Sequence, residues 1–421
     1  MSSSVTSDAD ASGFASGVGL PGDRQLAVAG VIALAVVILS LAGGGVTSGS
    51  WPWLIVGFTL LAASLFLGAA VRSNLGGALL FFYGALLGLT LWTGVSTMWS
   101  IDPHASLREV ERGTLYLAAL AAGIGLLRAG SEAAIVGGIA VGATAVAAYS
   151  LTELATRRDR TIVDSVAAAP IGYANALAIV CLLGAIASVS LAASARSAGG
   201  RLVWLSLLAI LCPTIILTKS IGAAVVAAAV LAIAVILSIG PILARRVRTP
   251  VIVVGGLVAC ALIAVGASFG SSHLTRNDRV AYWRAAAKDL RSHVLAGSGG
   301  GTYASYWSRH PERAQLIPLE AHSLYLETGA ELGVVGLAVV LATTALPLVT
   351  VLRRNSIVVL RRDPIRLGAT CAYIAFVVHA AVDWDWEIPV VCITGLYFAA
   401  VLLAGGRDDD ALPEGVRIRA R

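Results

Sequence analysis

The sequence predicts an all-α, polytopic membrane protein of about twelve transmembrane helices, with one large exterior loop between the ninth and tenth. Three observations predict it. Hydrophobic residues make up 57% of the 421-residue chain and charged residues only 13%, with a mean hydropathy of +0.85, a balance that excludes an ordinary soluble domain. Apolar runs recur at lengths near the roughly 20 residues that cross a hydrocarbon core about 30 Å thick. The apolar pattern is interrupted at length only once, from Ser271 to Ala321.

Residues 1–23 are rich in Ser, Ala and Gly, carry acidic residues and lack a basic leader. They read as a disordered cytoplasmic tail and not as a signal peptide. Residues 24–270 hold candidate spans one to nine, centred near 33, 61, 87, 118, 142, 181, 208, 231 and 260. Residues 271–321 form the loop, residues 322–405 hold three more spans centred near 338, 375 and 396, and 406–421 make a second cytoplasmic tail. The fourth and tenth spans are the least regular, because charges or glycines lie close to their ends. Cys181, Cys212, Cys260, Cys371 and Cys392 all fall inside apolar spans at no metal-ligand spacing, so they read as small apolar residues and not as a disulfide set.

Short cytoplasmic loops collect arginine. An inside N-terminus places Arg24, Arg72, Arg128, Arg196, Arg201, the Arg245 to Arg248 run, Arg353, Arg354, Arg361, Arg362 and Arg366 in the cytoplasm, with both termini inside. The exceptions are Arg157, Arg158 and Arg160, and the loop arginines Arg276 to Arg313, all outside. Basic residues placed against the topology signal suggest binding of phosphate or another anion. The bland alternative is solvated charge on a long exterior loop.

Within the loop, Asn277 and Asp278 can cap a helix from Arg279 to about His293. Val280, Trp283, Ala287, Leu290 and Val294 make an apolar stripe, while Arg279, Tyr282 and Asp289 share another side. Such a helix either lies along the membrane surface or packs over the bundle; both place Arg279 near the interface. The glycine-rich Leu295 to Tyr303 segment is either a phosphate-cradling nest or a flexible turn. His322 opens the next helix at the exterior boundary, where an imidazole can take a proton from a sugar hydroxyl. At 100° per residue Tyr325 lies near its face, whereas Glu327 and Glu331 lie too far round to orient it directly.

Other polar groups in apolar surroundings are functional candidates because burying them in lipid is costly. They are Asn175, Lys219 with Ser220, and His379 with Asp383. The last two are four residues apart and can pair as a helix clamp or a proton relay. No His, Cys or carboxylate cluster has metal-binding spacing.

These residues carry a resemblance. Asp278-Arg279-Val280-Ala281-Tyr282-Trp283-Arg284-Ala285-Ala286, Gly297 to Tyr303, Ala321-His322-Ser323-Leu324-Tyr325-Leu326-Glu327 and Glu331 to Gly336 resemble the O-antigen ligase and polymerase family of integral membrane glycosyltransferases. Trp92 to Pro103, with Ser96, Trp99-Ser100 and Asp102-Pro103, is similar to the family's early Trp-Ser-x-Asp-Pro signature, and Pro170 to Asn175 to its Asn-bearing helix start.

The resemblance implies a twelve-helix bundle and a polyprenyl-diphosphate-linked glycan donor of the undecaprenyl type. It also implies inverting, metal-independent transfer without a cofactor, to a glycan, lipid or protein acceptor. His322 would be the base that activates the acceptor hydroxyl, and Arg279 would hold the diphosphate. Tyr282, Arg284, Tyr325 and Asn175 are further substrate-binding candidates. The chain departs from the family's Ser-Arg-Gly after the seventh span: Ile221 stands where the arginine is expected. Lys219, or Arg158 or Arg160, is left to supply that charge.

The reading is a multi-pass glycosyltransferase of the inner or plasma membrane, acting in cell-envelope polysaccharide synthesis. Its expected partners are membrane lipid and envelope-assembly proteins, not nucleic acid. A transporter or flippase of the same lipid-linked sugar is the competing class, and a non-catalytic scaffold is a third.

Overall fold

In the computed structural model, residues 22–68, 76–156, 166–239, 278–313, 318–354, 360 and 362–404 are described. The chain is helical throughout these segments. α1 (Asp23–Leu41), α2 (Trp51–Gly68), α3 (Gly77–Ser96), α4 (Pro103–Ala129), α5 (Glu132–Thr156) and α6 (Ala174–Ser194) come first. α7 (Ala198–Ser206) and α8 (Leu208–Leu217) together form the seventh apolar run, and α9 (Ile221–Ile239) follows. α10 (Asp278–Ser292) and α11 (Tyr303–Arg309) belong to the large loop. α12 (Leu324–Arg354), α13 (Pro364–His379) and α14 (Pro389–Ala404) complete the bundle.

Eight stretches are long and apolar enough to cross a membrane, and the shorter apolar helices at Ile221–Ala234, Pro364–His379 and Pro389–Ala404 add three more. Eleven of the twelve expected centres therefore fall on an apolar helix. The one near residue 260, with Cys260, lies outside the described residues. So do both tails, the Arg157 to Arg160 cluster, the Arg245 run, Arg276 and the Asn277 cap.

Two helices start by the same local rule. Asp102 and Asp363 each accept a backbone N–H three residues on, from Ala105 and Arg366 at 3.1 Å, and each precedes a proline. The aspartate satisfies an orphan amide, and the proline supplies a helical φ where no donor is needed.

Burial sorts the helices by composition. α14 is apolar on every side and buried from Pro389 to Leu403, as expected for a helix enclosed by others. It packs against α4 and α13, with α5 and α6 also in the core. Gly138 and Gly142 of α5 let α1 come close: a Cβ at Gly138 would stand 2.6 Å from the Ala29 carbonyl oxygen, the small-residue packing that helices use in lipid. At the rim, α2 and α7 expose Trp53, Leu60, Leu67, Leu202 and Val203, the surface that hydrocarbon requires. Of the cysteines, Cys181, Cys371 and Cys392 are buried, Cys212 is exposed, and all four are free.

Candidate functional site

The early Trp-Ser-x-Asp-Pro segment acts by clamping the large loop. Trp92 Nε1 donates to the Leu332 carbonyl (3.1 Å) and Trp99 Nε1 to that of Ala296 (3.2 Å). Ile101 N donates to Ser298 O, and Ser106 Oγ to Gly300 O at 2.7 Å. Ser305 Oγ donates to Asp102 at 2.9 Å, and Ser96 Oγ accepts from Gly300 N at 3.0 Å. The glycines permit this approach: a Cβ at Gly299 would stand 2.3 Å from Ser100 Oγ. The Ala105 N–H holds the Asp102 carboxyl below the usual range.

The same contacts overturn the phosphate-nest reading. The amides of the turn are already taken, by the side chain of Glu331. Its carboxylate accepts from Gly301 N at 2.8 Å and Tyr303 N at 2.9 Å, and its backbone oxygen accepts from Gly299 N at 2.8 Å. Glu331 sits in α12 just before a break at Gly333 (φ 66°, ψ −167°). There Val334 N donates to Val294 O at 2.8 Å, so the loop replaces helix bonds that the kink gives up.

His322 does not open α12 but precedes it, with φ +56°. Its ring cannot be placed by counting around the helix. Tyr325, on the first turn, instead packs against the buried cluster of Leu89, Leu324, Leu332, Val340 and Ala380 and reaches toward the Val377 carbonyl at 3.5 Å. The His322 segment is tied at both ends: Leu324 N donates to Ala380 O at 2.9 Å, and Ala321 N to the Glu327 carboxylate at 2.6 Å. Glu327 thus positions the histidine through the backbone although it does not touch the ring. His322 Nδ1 lies 3.1 Å from the Glu320 carbonyl oxygen. A carbonyl only accepts, so Nδ1 carries the proton and Nε2 keeps the basic lone pair. The ring lies between Tyr282 (centroids 5.4 Å apart) and Trp384 (6.0 Å), and Tyr282 packs edge-on to Trp307 at 5.5 Å.

α10 presents its polar side to this site. Ala281, Ala285, Ala286 and Asp289 are its buried residues. The expected apolar stripe, Val280, Trp283, Ala287 and Leu290, is only half-buried. Small side chains let α10 lie close on α12, and that contact decides the buried face. Asp289 accepts from Ser298 Oγ at 2.6 Å and sits 2.7 Å from His293 Nδ1; burial pushes its carboxyl up. Burial likewise raises the Tyr282 phenol.

Arg279 reaches across to the turn after α13. Its Nη1 donates to the Val382 carbonyl at 2.7 Å and its Nη2 to the Asp383 carboxylate at 2.9 Å. Asp383 is 1% exposed, whereas Arg279 keeps 27% of its side chain exposed. Asn175 Nδ2 (2.7 Å) and Tyr173 Oη (2.8 Å) also donate to Asp383. Asn175 therefore joins the site as support for the carboxylate. The expected His379–Asp383 pair does not form. α13 ends at His379, so i,i+4 geometry no longer applies, and His379 Nδ1 meets Asp385 at 2.7 Å instead.

Against the first turns of α12 lies a cavity of about 40 Å³ bordered by Glu109, Arg112, Glu327, Glu331, Trp386 and Glu387. Arg112 is ion-paired to Glu109 and lies 3.3 Å from Glu387. Carboxylate oxygens of Glu320, Glu327 and Glu387 come within 4.8 Å of one another. Spacing alone gave no sign of this cluster, because Glu387 joins it from some 60 positions further along the chain. Burial pushes the Glu387 carboxyl well above the usual range, against the pull of Arg112.

The structure thus brings together His322, Arg279, Tyr282 and Asn175. Arg158 and Arg160 lie outside the described residues. Lys219 is exposed at a left-handed turn (φ 53°) before α9. Arg284 is exposed on α10, about 140° round the helix from Arg279 at 100° per residue.

Several helices long and apolar enough to cross a membrane, with an imidazole and a guanidinium held together on segments packed over them, define a multi-pass membrane protein with a polar site built on its helical bundle. Residues 186–341 match the family model described as O-antigen ligase. This match supports the O-antigen ligase and polymerase family that the motifs resemble. It takes in Lys219, Arg279, Tyr282, His322 and Tyr325, and stops short of Asp383. No curated protein matches the chain.

Proposed function

We propose that the protein transfers a glycan from a polyprenyl diphosphate carrier to an acceptor hydroxyl on the exterior face of the membrane, with inversion and without a metal. The observation that supports this is the pairing of a histidine whose Nδ1 is committed to a carbonyl with a partly exposed arginine held by a buried aspartate. His322 Nε2 takes the acceptor proton as the oxygen attacks the anomeric carbon. The bond from that carbon to the diphosphate oxygen breaks, and Arg279 neutralises the departing charge. Asp383, Val382 and Asn175 hold the guanidinium in place beforehand, so little reorganisation accompanies the reaction.

Lys219, Arg158, Arg160, Arg284 and Tyr325 are proposed to line the donor and acceptor paths. The acceptor is a glycan, lipid or protein, with envelope-assembly proteins as partners. The test is release of free polyprenyl diphosphate from a lipid-linked oligosaccharide by purified protein with chelator present. Wild type should release it, and His322→Ala and Arg279→Ala should not. A donor that stays intact while the folded protein binds it would sink the proposal in favour of transport.

A further inference from the structure

Two fully buried side chains behind Arg279 take no part in the reaction proposed above. His379 closes α13 and Asp385 opens the short turn at residues 385–387; neither side chain has any exposed surface. Their other polar atoms, His379 Nε2 and Asp385 Oδ1, are buried without a hydrogen-bond partner. Nε2 faces α9 at Gly222, where a Cβ would stand 3.3 Å from it. Among the described residues nothing else in that direction bonds the imidazole, and its hydrogen-bond partner there is the aspartate.

The pair brackets residues 380–384, and four of those five touch the site. Ala380 O accepts from Leu324 N, two residues after His322. Val382 O and the Asp383 carboxylate hold Arg279. Trp384 flanks the His322 ring. The 379–385 contact closes this loop in the register that serves both proposed catalytic groups. Charge points the same way. Asp383 and Asp385 put two carboxylates beside one guanidinium, and a protonated His379 makes the set neutral. Without the imidazole, Asp385 is a buried, unmatched carboxylate. It would compete with Asp383 for Arg279 and repel an incoming diphosphate.

We propose that His379 is a positioning residue of the transfer site: by holding and neutralising Asp385 it keeps the 380–384 loop closed and reserves Arg279 for the donor's diphosphate. This rests on the donor reading above.

The experiment is steady-state release of polyprenyl diphosphate by the full chain in detergent, with a synthetic polyprenyl-diphosphate-linked sugar as donor. Wild type is compared with His379→Gln, Asp385→Asn and the double variant. His379→Gln should raise the donor KM by about tenfold or more, with kcat at saturating donor much less affected. The double variant restores a neutral hydrogen-bonded pair and should return KM to within about threefold of wild type. Asp385→Asn alone, which removes the surplus charge, should not raise KM.

A His379→Gln enzyme with unchanged KM and kcat overturns the proposal, as does a double variant that folds but stays as impaired as the single one. If His379→Gln does not fold, a raised KM in Asp385→Asn overturns it equally. His322→Ala and Arg279→Ala run alongside: full release by both removes the transfer reading itself, whereas their failure beside a normal His379→Gln removes only this inference.

Discussion

At the scale of single residues, the site depends on carboxylates that hold backbone. Glu327 does not meet the His322 ring, yet its oxygen receives the Ala321 N–H one residue before it. Glu327→Ala leaves that buried amide without an acceptor, a loss of about 1–3 kcal/mol, and frees the left-handed turn. Polyprenyl diphosphate release should fall strongly in Glu327→Ala and less in Glu327→Gln, which keeps an acceptor oxygen. Equal activity in all three would show that the turn holds without it. His322→Ala itself should cost about 10²–10⁴ in rate, measured in the same assay. The sequence singled out His322 and Arg279 as candidates, because an imidazole and an arginine stood beside apolar runs in the one long polar loop. It did not reveal Glu327 or Glu331 as supports. Angles on an ideal helix put them on the wrong side of the histidine, and neither the left-handed His322 nor the break at Gly333 can be seen in a periodicity. His379 was assigned the wrong aspartate for the same reason, since the helix stops where the counting assumed it continued.

At the scale of elements, the large loop and the broken α12 form one interlocked unit. Gly297 (φ 70°) and Gly333 (φ 66°) face each other's backbones. A Cβ at Gly297 would stand 2.1 Å from Glu331 backbone atoms, and one at Gly333 would stand 2.2 Å from Leu295 O. Either alanine therefore meets both an unfavourable φ, costing about 1–3 kcal/mol, and an immovable carbonyl. Gly297→Ala and Gly333→Ala should each lower the Tm and abolish transfer. Gly88→Ala, on α3 where a Cβ meets nothing within 4 Å, should leave both unchanged or raise the Tm slightly. Thermal unfolding in detergent, followed by activity, checks the three; a Gly333→Ala protein as stable as wild type would mean the break is dispensable. The glycine cluster itself was visible in the sequence. Its purpose was not, because close approach to Ser100, Thr93 and Glu109 involves helices some 200 positions earlier in the chain.

At the scale of the whole molecule, the helical bundle was legible because hydropathy is a local property and the bilayer sets the length of each run. What hydropathy cannot rank is depth: α14 is short yet lies at the centre, while the longer α2 lies at the rim with apolar side chains outward. The remaining global question is which face carries His322, and the arginine rule predicts the exterior one, which labelling can test. Cytoplasmic loops gather Lys and Arg, and the connection around Arg353, Arg362 and Arg366 follows α12, one crossing after the loop that bears Arg279 and Arg284. A single crossing by α12 would put the two on opposite sides. In a chain with its five native cysteines replaced by alanine, Arg284→Cys should react with a membrane-impermeant maleimide added to intact cells. Arg353→Cys should react only after permeabilisation. Arg284 and Arg353 are both exposed, so lack of reaction at one reports the side of the membrane and not burial. Labelling of Arg353→Cys from outside with Arg284→Cys protected would invert the topology. It would place His322 on the cytoplasmic face, where the proposed acceptor does not lie.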